Sequence, residues 1–113
     1  MFKKLITFSF LIFLVSNNLN AAITVVGSSD AHICYKNAKY GYTTQSSIFT
    51  CLNAISEKTI SKKDLDATRI NLGIIYNNKS KPRMALEQFE IAFKNESMRA
   101  EVLLNQGNSL LLL

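Results

Sequence analysis

Four groups of side chains carry residue types that chemistry needs. Asp30, His32 and Cys34 alternate along the chain, and on a strand they would share one face and offer ligands to a metal such as zinc. Ser28, Ser29, Asp30 and His32 hold the residue types of a hydrolase, and Glu87 with Glu90 has the look of an acid–base pair. Cys34 and Cys51 are the only cysteines and would serve as a dithiol. Each group has a plainer explanation. No strand-turn-helix elbow or oxyanion loop surrounds the serines, which suit a turn and a helix cap. The two glutamates suit a solvated helix face, since nothing in the sequence marks either as desolvated.

The elements that must position these residues read as helices throughout. Ile23 to Val26 is β-branched and runs into Gly27, which predicts an extended arm and a turn over residues 23–29. Ser29 or Asp30 then caps a helix to about Lys39 or Tyr40, stopped by Gly41. On that helix Asp30, His32 and Cys34 fan out, because neighbours two apart do not face each other. His32 is therefore expected to face solvent. Neither a metal site nor a His32–Cys34 nucleophile pair is expected, and no catalytic, cofactor-binding or metal-ligating residue is assigned.

A second helix follows Thr43, Thr44 or Ser46 and runs to about Ile55, with Ile48, Cys51, Leu52 and Ile55 on one face. Ser61, followed by Asp64, resembles a capping box and opens a third helix to Tyr76 or Asn77 that buries Leu65, Leu72, Ile75 and Tyr76. Pro82 in the first turn starts a fourth helix over about Lys81 to Lys94, with Met84 or Ala85, Phe89, Ala92 and Phe93 at helical spacing. A fifth begins after Asn95-Glu96-Ser97 and carries to the C-terminus.

The first 22 residues have a different character. Lys3 and Lys4 precede an apolar run from Leu5 to Val15, a polar stretch with Asn17, Asn18 and Asn20, and then Ala21-Ala22. This is the layout of a secretory signal peptide cut after Ala21 or Ala22. An uncleaved anchor is the alternative, but the run is short against the ~20 residues a span requires. The formal charge of +5 includes Lys3 and Lys4, so the mature chain carries a mild excess interleaved with acids. No basic stripe for nucleic acid emerges. An even cysteine count in an exported chain indicates one disulfide, the free dithiol being the other possibility. The expected location is the periplasm or outside the cell.

The strongest pattern is a repeat. Asn71-Leu72-Gly73 returns as Asn105-Gln106-Gly107, 34 residues on, a period of stacked helical hairpins. In a frame that starts at Asp66, Leu72 and Gly73 take the seventh and eighth places, Tyr76 the eleventh, Ala85 the twentieth, Phe89 the twenty-fourth and Ala92 the twenty-seventh. This resembles the tetratricopeptide repeat. Arg69 and Ser97 depart from it, where the family has a bulky apolar residue and a proline. The resemblance implies an all-α fold, a short α-solenoid of antiparallel hairpins: a degenerate hairpin over 30–57, a repeat over 64–95 and a partial repeat over 98–113. It implies that Gly73 and Ala85 approach closely while Tyr76 and Phe89 fill the space between helices, with Gly107 repeating Gly73. In that register Cys34 and Cys51 take the places of Leu72 and Phe89 and face each other across the first hairpin. The export signal, Cys-Tyr-x-x-Ala, Cys-x-x-Ala-Ile and Asn-x-Gly together look like exported bacterial members of the family.

The resemblance also implies that the first helices of the hairpins line a concave side. Asn71 and Asn105, with Arg69 on the same surface, would hydrogen-bond the backbone of a bound peptide there. The function it implies is a non-enzymatic exported scaffold for a protein or peptide partner. A thiol-active protein using Cys34 and Cys51 and a membrane-anchored interaction module are the alternatives. Leu110 to Leu113 would leave an apolar end on a helix without its partner. Self-association, docking onto the earlier hairpins, or a longer array cut short would each account for it.

Overall fold

The computed structural model describes residues 20–27 and 29–113. Five α-helices follow one another: α1 (Ser29–Tyr40), α2 (Gln45–Ser56), α3 (Lys62–Asn78), α4 (Pro82–Ala92) and α5 (Arg99–Leu112), the last entered through a single 3-10 turn over Glu96–Met98. The described residues contain no strand. The apolar run and leading lysines of the expected export signal lie outside the described residues.

Local chemistry sets the boundaries. Gly41, at φ 76°, ends α1 in a left-handed conformation that costs glycine nothing. Thr44 caps α2 by accepting from the Ser47 N–H, and Ser61 caps α3 by accepting from the Asp64 N–H. Pro82 is the first residue of α4, where its missing N–H removes no helical bond.

The helices pair as α1 with α2 and α3 with α4, and the first helices lie side by side, α1 on α3 and α3 on α5. A disulfide joins Cys34 and Cys51 across the first hairpin, with Cα atoms 4.9 Å apart. Helix α3 touches every other helix. Consequently Ile70 to Asn77 is buried without interruption, and no polar face remains there.

Some expected core positions lie elsewhere. Leu52 is 42% exposed because α2 covers its inner side with Ser47, Ile48, Cys51 and Ala54. Leu65 and Ile55 are half-buried, and of Met84 and Ala85 it is Ala85 that lies inside. Leu110 matches Tyr76 in sequence position, yet Tyr76 is 5% exposed and Leu110 62%. Tyr76's helix is flanked by α4 on one side and α5 on another, whereas among the described residues α5 has only α3 and α4 beside it and no further helix beyond. The terminal leucines stay largely exposed, Leu113 only bordering a surface cleft with Pro82 and Met84, while Val102, Asn105 and Ser109 form the buried side of α5.

Candidate functional site

The extended segment Asn20–Val26 lies across the first helices, and its backbone is gripped by one side chain from each. The Asn71 carboxamide of α3 makes two bonds with one residue: it accepts from the Ile23 N–H at 2.8 Å and donates to the Ile23 carbonyl at 2.8 Å. Asn105 of α5 does the same, more loosely, with Ala21, at 3.3 and 3.4 Å. On α1, His32 places Nδ1 2.7 Å from the Val25 carbonyl; a carbonyl only accepts, so Nδ1 carries the proton. The three rungs engage residues 21, 23 and 25. Alternate residues of an extended chain point their N–H and C=O toward the same edge, so a single edge of the arm meets all three helices.

Side chains reinforce the grip. Val25 is 1% exposed within the core, and Ala22 and Ile23 pack against it. Asn20 donates to the Asn78 side chain at 3.1 Å. Hydrogen bonding by Thr24 of the arm, helped by nearby Lys39, pulls the Tyr35 hydroxyl below the ordinary tyrosine range. The same Tyr35 contact raises Lys39.

Around this surface a polar network joins α3 to α5. Asn77 donates to the Asn105 carbonyl at 3.2 Å, and the Ser109 hydroxyl donates to the Asn77 side-chain oxygen at 2.8 Å. Both asparagines and Ser109 are buried, so each polar atom needs such a partner. At the start of α3, buried Asp66 accepts from Lys62 at 2.6 Å and from Asn95 at 3.0 Å. The bond from Asn95 ties the helix to the turn before α5.

Of the sequence-derived candidates, Asn71 and Asn105 come together on one surface. Arg69 does not join them: its guanidinium donates to Gln88 of α4 at 3.1 Å, as expected for a residue two places away on a helix. His32 is half-buried and bonded to the arm rather than facing solvent. Cys34 and Cys51 are both 0% exposed. Among the described residues no group of His, Cys, Asp and Glu is placed to hold a metal ion. Gly73 meets the ring of Phe89, which is 0% exposed, and Ala85 and Ala92 are equally buried. Leu72 is buried as well, while Gly107 has open space beside it.

The arm's place across these helices and the burial of Asp66 lay outside what the sequence motifs pointed to. The one available signal for the arm was the placement of aliphatic Ile23 and Val25 two apart. No family model, curated protein or solved structure matches this chain.

Proposed function

We propose that the protein is an exported, non-enzymatic scaffold that binds a protein or peptide along stacked tetratricopeptide-like hairpins, with Asn71 and Asn105 reading the ligand backbone. The observation that carries this reading is the paired bond of the Asn71 carboxamide with both backbone groups of Ile23. Such a pair is satisfied by any residue but proline in an extended segment, so it recognises a peptide without specifying its side chains. The side-by-side packing of α1, α3 and α5 supplies the surface. The Cys34–Cys51 disulfide suits an oxidising compartment, either the periplasm or the cell exterior.

The thiol-active alternative is disfavoured by the burial of both sulfurs, which denies access to an attacking thiolate. As for anchoring, no helix among the described residues is long and apolar enough to cross a membrane. A second reading, self-association through the C-terminal end, draws on the exposure of all four terminal leucines.

The test is capture of envelope proteins by the purified protein, compared with Asn71→Ala and Asn105→Ala. Loss of two bonds to a backbone should weaken capture by about tenfold or more in Asn71→Ala, at the usual ~1 kcal/mol net for each bond. Unchanged capture in both variants would remove the groove from consideration. Alkylation without reductant should label no thiol.

A further inference from the structure

Resting on the peptide-binding reading, we propose that the groove over α1, α3 and α5 is held in cis by residues 21–25, and that its ligand is an extended peptide with aliphatic side chains two apart that displaces this arm. The arm itself displays the ligand chemistry. His32, Asn71 and Asn105 engage the backbone of every second residue, while the core receives Val25 and packs against Ile23. A segment with the same backbone edge free and aliphatic groups at those two places satisfies the same partners. Proline at the Ile23 place removes the donor to Asn71 and is excluded.

The grip is graded. Bonds of 2.8 Å at Asn71 give way to 3.3 and 3.4 Å at Asn105, and Ala21 adds only a methyl group. The arm therefore releases first from α5. Processing at the expected site, after Ala21 or Ala22, removes that rung and leaves Asn105 as a foothold for an incoming strand. One turn earlier on α5, Glu101 holds a buried side-chain oxygen, Oε2, without a partner among the described residues. A tethered arm competes at an effective concentration in the millimolar range, so a free peptide binds the intact chain weakly until the arm is loosened.

The experiment uses the full-length chain, with Ala21 and the Ile23 amide in place, and a fluorescent peptide with the sequence of residues 20–27. Anisotropy should show weak binding to the unchanged chain and at least tenfold tighter binding to Ile23→Pro, whose arm has lost its donor. The same peptide with proline at the Ile23 place should bind neither, and Asn71→Ala added to the Ile23→Pro chain should weaken binding by about tenfold or more. Saturating peptide should accelerate hydrogen exchange at the Ile23 amide of the unchanged chain. Equal affinity for the unchanged and Ile23→Pro chains, with Ile23 exchange unmoved, would overturn displacement while leaving peptide binding intact. Absence of binding to both chains, with helical circular dichroism preserved, would overturn the groove reading as well. Dimers in the unchanged chain that vanish in Ile23→Pro would overturn the partner peptide in favour of arm exchange between copies.

Discussion

Gly73 and Gly107 stand at matching places 34 residues apart, yet a methyl group added to each meets opposite surroundings. At Gly73 it would run into the Phe89 ring, which is itself fully buried. Gly73→Ala should therefore destabilise by about 1–3 kcal/mol, the usual cost of overpacking. At Gly107 nothing lies within 4 Å, and in the interior of a helix alanine is favoured over glycine by up to ~1 kcal/mol. Gly107→Ala should leave stability unchanged or raise it. Urea unfolding of the two variants compares them directly, and equal losses would contradict the packing described. Tyr76 offers a further contrast: burial, with Glu87 nearby, raises its hydroxyl above the ordinary range, so the neutral form is the one the fold accommodates.

At the scale of elements, the first hairpin depends on its crosslink more than the second does. Helices α1 and α2 bury few large side chains: Ala31, Cys34 and Ala38 from one, Ser47, Ile48, Cys51 and Ala54 from the other. The α3–α4 hairpin instead encloses Ile70, Leu72, Ile74, Ile75 and Phe89. Closing a loop of 17 residues removes roughly 3 kcal/mol of unfolded-state entropy in the chain-entropy account. Reduction, or Cys34→Ala with Cys51→Ala, should lower the urea midpoint by an amount of that order. Amides in α1 and α2 should lose exchange protection ahead of those in α3. A uniform loss across all five helices would show instead that the hairpins unfold as one unit.

For the molecule as a whole, the two ends of the hairpin stack differ. The arm runs across the side formed by α1, α3 and α5, while the C-terminal end of α5 presents Leu110, Leu111, Leu112 and Leu113 at 62, 85, 46 and 64% exposure, with Leu103 and Leu104 also outward. Leu113 shares a surface cleft with Pro82 and Met84. Apolar patches of this kind mark interfaces. Sedimentation should reveal concentration-dependent self-association, reduced by Leu111→Lys with little change in unfolding midpoint; a monomer at all concentrations would rule that interface out.

The helix boundaries, the caps at Thr44 and Ser61, the place of Pro82 and the identity of the buried small residues were legible in the chain itself. Each depends on neighbours within a few positions, and local chemistry is written in local order. The pairing of Cys34 with Cys51 and the alignment of Asn71 with Asn105 were also within reach, through the periodic register. Tertiary structure alone decided the rest. Backbone groups hold the arm, and every residue but proline carries the same backbone groups, so beyond the alternate aliphatics Ile23 and Val25 nothing in residues 21–25 marked where they would bind. Whether Gly73 or Gly107 is crowded, and whether Tyr76 or Leu110 is covered, depends on which helix lies alongside. Sequence repeats at those positions could not distinguish a helix in the middle of the stack from one at its edge.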